Sequence, residues 1–308
     1  MKTGALIVTT GLPGLCEIAA LQTEVGSITA GQRMIAAFHR CGVALTGLVV
    51  GPENKKAERP FAQAGVVFLR CEAEASFLDG VREGLRFLHG KFDRVFVLPG
   101  DMPLVLPETL DALLRTEAPI ARPVCRQLHG LPLLLGGDAM EFLLSPSGCD
   151  TLEEALVRCP LETEYIPVSD SGVLIHSGDM THRRNLIQAQ DRQLTQPCVG
   201  ITLNNGSVLY DDRLSMLLHL VDDTRSVLDA CSLMQMSYSA AWKMLNQVED
   251  AIGYPLVRRI RGGPDGSGTE LTKKGRTLME AFDQYTQHLN REAQTLFRQH
   301  FSAFSEYH

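Results

Sequence analysis

The stretch Val95-Phe96-Val97-Leu98-Pro99-Gly100-Asp101-Met102-Pro103 decides how the first part of this chain folds. Its apolar run has no polar alternation, which suits a strand buried on both faces of a parallel sheet. The run stops at the turn signal Pro99-Gly100, and a carboxylate follows at once. Ligands of open α/β sheets bind off the carboxyl ends of the strands, so Asp101 is placed where a site would be. A hard carboxylate there suits Mg²⁺ bridging to phosphate oxygens. The alternative is that Asp101 only caps the helix beginning near Pro107.

Working back towards the N-terminus, Ala5 to Thr9 reads as a first strand running into the loop Thr10-Gly11-Leu12-Pro13-Gly14, where backbone can wrap a phosphate. Gly31 to Arg40 is helical, Val43 to Val50 and Val66 to Leu69 are strands, and Ser76 to His89 carries a helical apolar stripe at 77, 81, 85 and 88. Pro107 to Arg115 is a further helix. Beyond it, Ile120 to Val124 and Leu131 to Leu135 read as strands, their prolines placing them at sheet edges or strand starts. Asp138–Leu144 and Thr151–Arg158 are helical, Val173 to His176 is a last short strand, and Met180 to Gln190 closes the series as a helix. This alternation predicts an α/β fold, a Rossmann-like and mostly parallel sheet covered by helices.

The 308 residues leave room for about two domains. With 44% hydrophobic and 21% charged residues the chain has the composition of a soluble globular protein. Its net charge of −7 gives no global sign of nucleic-acid binding, although basic residues gather near the C-terminus. The eight cysteines include no C-x-x-C pair, so neither a zinc knuckle nor a redox motif is indicated and reduced thiols are expected. The first apolar run is too short for a signal peptide or membrane span, so a cytoplasmic protein with no membrane partner is expected.

Residues 4–190 resemble the nucleotidyltransferases that attach CMP or GMP to molybdenum cofactor, the MobA-like family. The resemblance rests on Leu98-Pro99-Gly100-Asp101-Met102-Pro103, on Ser76 with Gly80 and Gly84, and on Gly130-Leu131-Pro132. It implies a nucleotide-diphospho-sugar-transferase type of sheet, Mg²⁺, and CTP or GTP as the nucleotide. Thr10, Gly11, Gly14, Ser76 and Gly100 would then bind the nucleotide, and Asp101 would be the catalytic metal ligand. Two departures stand against transfer. The family's first loop carries an Arg and a Lys, whereas residues 9–24 here hold neither and add Glu17 and Glu24. A triphosphate carries about four negative charges, and like charges repel at this range. The family's second metal aspartate, in an Asp-Thr-Pro strand end, is replaced by His176-Ser177-Gly178, with Asp179 out of register. His176 can bind a softer metal or be structural.

Residues 191–200 are polar and hold Pro197, which reads as a linker between domains 1–190 and 201–308. Asn204-Asn205-Gly206 is a hairpin turn signal. An amphipathic helix over Asp212 to Asp222 follows, then a helix capped by Ser226 and a third capped by Ser237 and running to about Ile252. Leu256 to Ile260 and Thr269 to Thr272 are strands around a Gly-rich loop, and Lys273 opens a long final helix. Ser237-Tyr238 with Ala241-Trp242, Gly253-Tyr254-Pro255-Leu256-Val257, Gly262-Gly263 to Gly268-Thr269, Leu271-Thr272 and Gly275 closely resemble the winged helix-turn-helix of molybdate-responsive (ModE-like) and LysR-type regulators. That resemblance implies that the third helix enters the major groove of double-stranded DNA while the wing follows the phosphates. Ser237, Ser239, Lys243, Asn246 and Gln247 are the candidates on the helix; Arg258, Arg259, Arg261, Lys273 and Lys274 are those around the hairpin. It further implies that the final helix pairs with its twin in a homodimer, although the helix's Gln, Glu and Arg content equally suits a solvated amphipathic helix. The related regulators often carry basic residues after Ser-Tyr and a glycine in the helix turn, where this chain has Ser239, Ala240 and Gln235.

The expectation is a DNA-binding transcription regulator whose first domain, a degenerate nucleotidyltransferase, senses a nucleotide, molybdopterin or related small molecule. An active cytidylyl- or guanylyltransferase with an autoregulatory DNA-binding domain is the alternative. A scaffold whose winged helix binds protein is a third reading, opposed by the basic wing.

Overall fold

The computed structural model describes residues 2–12, 17–52, 54–145, 148–176, 183–206, 208–263 and 266–301. Gly14, Ser177, Gly178 and Asp179 lie outside the described residues, as does the side chain of Arg261. The chain divides into two compact units, Met1–Phe61 with Val66–Thr195 and Ala62–Gly65 with Gln196–His308.

The first unit opens with β1 (Thr3–Val8), α1 (Glu17–Gln22), the short ribbon β2 (Glu24–Val25) and β3 (Ile28–Thr29), α2 (Ala30–Arg40), β4 (Leu45–Val50), α3 (Lys55–Glu58), β5 (Val66–Arg70) and α4 (Phe77–Leu88). It continues with β6 (Arg94–Pro99), α5 (Pro107–Leu114), β7 (Ile120–Cys125), β8 (Leu128–His129), β9 (Leu133–Gly136), α6 (Gly137–Leu144), α7 (Leu152–Arg158), β10 (Thr163–Pro167) and α8 (Arg184–Leu194). The sheet runs β10-β7-β9-β6-β1-β4-β5, with β8 attached to β7. β9 is antiparallel to β6 and β7, and the other pairings along that order are parallel. The mostly parallel sheet expected from the sequence is therefore present. Every residue of β1 and β6 is buried, as the unbroken apolar runs required. Helix starts follow local chemistry: Thr29 and Ser76 each form a reciprocal capping box, with Gln32 and Asp79 respectively.

Three expectations are corrected. Val173 to His176 is not a strand: Ser171–Leu174 forms a 3₁₀ helix. Buried Asp170 accepts hydrogen bonds from the backbone N–H of Gly172, the N–H of Leu106 and the hydroxyl of Thr109, and this turn satisfies groups that a strand would otherwise pair. Nor is the Pro123 strand an edge, since β7 lies between β10 and β9. Pro123 falls between the stretches paired with β9 and with β8, where its missing N–H interrupts no ladder bond, and its carbonyl accepts from Gly130 N at 2.8 Å. The closing helix runs on through Leu194, into the stretch read as a linker.

The second unit contains the hairpin β11 (Thr202–Asn204) and β12 (Val208–Asp211), then α9 (Asp212–Thr224), α10 (Val227–Leu233) and α11 (Tyr238–Ile252). The hairpin β13 (Val257–Gly263) and β14 (Gly266–Leu271) and the long helix α12 (Lys273–His300) complete it. Ser226, Ser237 and Thr272 cap α10, α11 and α12 through the backbone N–H three residues on. The core joins Leu217, Leu218, Ala241, Leu245 and Phe282, the last with its ring 4.6 Å from that of buried Tyr210. α12 has 28 residues, about 42 Å at the helical rise, and only Gly275, Met279 and Phe282 on it are buried. No described helix is long and apolar enough to cross a membrane.

In the turn between α10 and α11, Gln235 has φ 52°, the left-handed region that disfavours a side chain. Gln235→Gly should raise the stability of this unit by roughly 0.5–1 kcal/mol, read as an upward shift of its thermal unfolding midpoint. A downward shift would mean that the Gln235 side-chain bond to Ser232 O outweighs the backbone strain.

Candidate nucleotide and metal site and candidate nucleic-acid interface

In the first unit, pairing of β1 with β6 brings their carboxyl ends together, Val8 opposite Pro99. Thr9, Gly100 and Asp101 follow directly. A Cβ on Gly100 would lie 2.8 Å from the Thr9 methyl, so glycine is what allows the two chain turns to touch. Thr9 is held by hydrogen bonds from its N–H and hydroxyl to Val49 O, both at 3.0 Å. The Thr10 hydroxyl donates to Ser76 O, and Gly11, at φ +67°, lies against the start of α4, where a Cβ would sit 2.3 Å from Phe77 N. The structure thus gathers Thr10, Gly11, Ser76, Gly100 and Asp101 at one end of the sheet. The Ser76 hydroxyl is engaged in its capping box, where its bond to Asp79, ahead of the nearby arginines, holds the Asp79 carboxyl below its ordinary pKa.

Asp101 is 6% exposed, and its Oδ1 is buried with no hydrogen-bond partner. Oδ2 accepts from His176 Nδ1 at 2.8 Å, while the histidine itself is half exposed. A buried, open carboxylate oxygen is a suitable donor for a hard cation. No group of three or more His, Cys, Asp or Glu able to hold a metal occurs among the described residues. A Mg²⁺ ion at Asp101 would need further oxygens, such as those of a phosphate, to complete its shell. His176, two residues beyond the 3₁₀ turn Ser171–Leu174, lies against Asp101.

Beside Thr9 opens a cleft of about 640 Å³, with Gly11, Leu12, Gln22, Glu58 and Glu74 in its wall. Glu58 is buried, forked by Arg70 through two bonds of 2.6 Å and accepting Asn54 N–H at 2.9 Å. Sequence reading missed this pair, and it missed the clamp on the loop after Asp101. There the buried Gln190 amide donates to Pro103 O and Val105 O at 2.7 and 2.9 Å, while its carbonyl accepts from wholly buried Arg33. Arg33 also reaches Val25 O and Asp191. No periodicity marks residues 157 positions apart as partners.

In the second unit, Ser237, Ser239, Lys243, Asn246 and Gln247 are all exposed on α11, opposite the buried Ala241, Leu245 and Val248. The Ser237 hydroxyl accepts from Ala240 N and lies 3.2 Å from the Ser239 hydroxyl. The β13–β14 hairpin lies beside α11, with the Arg259 guanidinium 5.5 Å above the Trp242 ring. Arg258 bonds Glu270, its cross-strand neighbour, which also meets Arg225 at 3.5 Å. Lys273 is exposed, and the Lys274 ammonium lies 4.7 Å from the Tyr254 ring centre. Arg276, in the first turn of α12, is forked onto Asp222. The basic residues therefore do double duty: their charge faces solvent while several also fasten the hairpin and helices together.

Residues 21–160 match the family model of the MobA-like NTP transferase domain. The fold resembles a nucleotidyl transferase from Methanothermobacter and Rv0371c from Mycobacterium tuberculosis. Each is 17% identical with a TM-score of 0.50, the first over 61% and the second over 60% of this chain, and both over 98% of their own. The chain is 34% identical over 77 residues to the molybdenum transport protein ModE of Azotobacter vinelandii, covering 25% of this chain and 28% of that one. It is 30% identical over 89 residues to the DNA-binding transcriptional dual regulator ModE of Escherichia coli K12, covering 28% and 34%. The chain thus spans about a third or less of these curated relatives.

Gly11→Ala should destabilise the first unit by more than the about 1–2 kcal/mol of left-handed backbone strain, because its Cβ also meets the α4 backbone. Gly42→Ala, at φ +76° with nothing within 4 Å, carries the backbone term alone. Equal losses for the two in thermal unfolding would show that Gly11 is not fixed against α4.

Proposed function

We propose that this chain is a DNA-binding transcription regulator linked to molybdenum cofactor metabolism, with a nucleotidyltransferase-type unit that senses rather than transfers. We assign the residues up to Thr195 to the sensing domain, the short remainder through Gly200 to a linker and 201–308 to a winged helix-turn-helix domain. The observation that carries this reading is the exposed polar face of α11 beside a basic hairpin, in a protein that is otherwise acidic. A helix of that kind fits the major groove while the hairpin follows phosphates. The partial likeness to ModE regulators supports it.

The sensing unit keeps the Asp101 strand end and the cleft, but its first loop lacks the positive charge a triphosphate needs. Its effector carries less negative charge than a nucleoside triphosphate: a smaller nucleotide, molybdopterin or a related metabolite, with Mg²⁺ at Asp101 where phosphate is present. A working cytidylyl- or guanylyltransferase is the second reading, favoured by the open Asp101 Oδ1.

The regulator acts as a homodimer in the cytoplasm. Along α12, Phe282, Thr286, Leu289, Ala293 and Leu296 follow alternating spacings of four and three, the seam of a helix pair. Phe282 is buried within its own unit, whereas Leu296 remains half exposed, so the seam runs on past the surface the unit itself covers. Two copies would read two half-sites.

In a mobility-shift titration at low salt, the intact protein should retard duplex DNA. Reversing charge at Arg258 and Arg261 together should weaken binding about tenfold or more across unrelated sequences, since phosphate contacts carry no sequence information. Retained affinity would remove the hairpin from the interface, and no retardation by the wild-type protein would refute the regulator reading.

A further inference from the structure

The first turn of α11 carries no charge. Tyr238, Ser239 and Ala240 are exposed there, and the Ser237 hydroxyl is occupied in capping Ala240 N. This turn offers phosphate little, yet it presents an aromatic ring and a methyl group to solvent. The ring is not loose. Tyr238 stands edge-on to Trp242 with ring centres 6.1 Å apart, and Trp242 is covered in turn by the Arg259 guanidinium at 5.5 Å. Tyr238 still leaves 45% of its surface open, which is unlike a residue serving only the core.

Resting on the DNA-binding reading above, we propose that Tyr238 reads a thymine methyl group in the major groove. The Tyr238–Trp242–Arg259 stack holds the ring in place for that contact. Residues at the N-terminal end of a groove-bound helix reach base edges. Among the groups displayed in the major groove, the C5 methyl of thymine is the apolar one, so it suits an uncharged aromatic edge. A ring fixed in advance loses little conformational freedom on binding, which makes a small apolar contact effective. Asn246, exposed farther along the same helix, suits adenine. Arg259 acts here as a positioning residue: its guanidinium plane lies on Trp242 and ties the hairpin to the helix, rather than serving chiefly as a phosphate ligand.

The test uses the full chain. A site is selected from a pool of random-sequence short duplexes with the wild-type protein, and binding is followed by emission of Trp242, the only tryptophan in the sequence. Each thymine of the site is then replaced by deoxyuridine, which removes the methyl and nothing else. The wild-type protein should lose about fourfold in affinity at one position per half-site, the worth of one buried methyl group. Tyr238→Ala should bind the parent site about tenfold more weakly and be indifferent to the methyl at that position. Its thermal unfolding and the salt dependence of its binding should be unchanged, because the residue is half exposed and neutral. Tyr238→Phe should keep the sensitivity to the methyl.

If Tyr238→Ala responds to every deoxyuridine as the wild-type protein does, or no thymine methyl matters to the wild-type protein, the inference fails while DNA binding stands. If the wild-type protein selects no duplex, the DNA reading fails with it.

Discussion

The first unit depends on burying the run Arg94–Pro99 between two neighbours, parallel to β1 on one side and antiparallel to β9 on the other. With both faces covered, the strand can tolerate no slip, because a shift of one residue would exchange its two apolar faces. That register decides where the chain turns, and so brings Thr9, Gly100 and Asp101 to the same end of the sheet. The covering helix is drawn in by the same requirement. A Cβ on Gly84 would sit 2.5 Å from Leu6, and one on Gly80 would sit 2.2 Å from the Thr10 hydroxyl. These two glycines bring α4 against β1 and β4, and the packed helix start in turn fixes Thr10 and Gly11.

Electrostatics then limits what this geometry can do. The Asp101 carboxylate is buried with one oxygen open, which suits a cation, but a triphosphate needs more than a cation to hold it. Residues 9–24 hold no lysine or arginine. Arg70 is already engaged by Glu58, and Arg33 is buried against Val25, Gln190 and Asp191. With those arginines engaged, the cleft suits a ligand with less negative charge.

Much of this was legible in the sequence because it rests on local rules. The unbroken runs at 95–98 and 5–8 announced buried strands, and Ser226 and Ser237 announced helix starts through the side chains they carry. What the sequence concealed depends on partners far apart in the chain. Asp170 turns Ser171–Leu174 into a 3₁₀ helix by binding Leu106 and Thr109, and no window around residue 173 contains those groups. Gln190 clamps the loop after Asp101 across more than eighty residues, and an isolated glutamine in a polar helix gives no warning of burial. The basic hairpin shows the same limit: residue type gave the sign of its charge, but only packing shows Arg259 lying on Trp242 and Arg276 forked onto Asp222.

We propose that the first unit senses a ligand and does not transfer a nucleotide. Calorimetric titration of the intact protein with Mg²⁺–CTP and with Mg²⁺–GTP tests it most directly, with Asp101→Ala alongside, because nucleotide binding needs no acceptor substrate to be present. Neither nucleotide should bind at micromolar concentration, since a charge of about −4 meets a loop without a single basic side chain. Micromolar binding that disappears in Asp101→Ala would contradict it and make the chain a nucleotidyltransferase that also carries a DNA-binding unit.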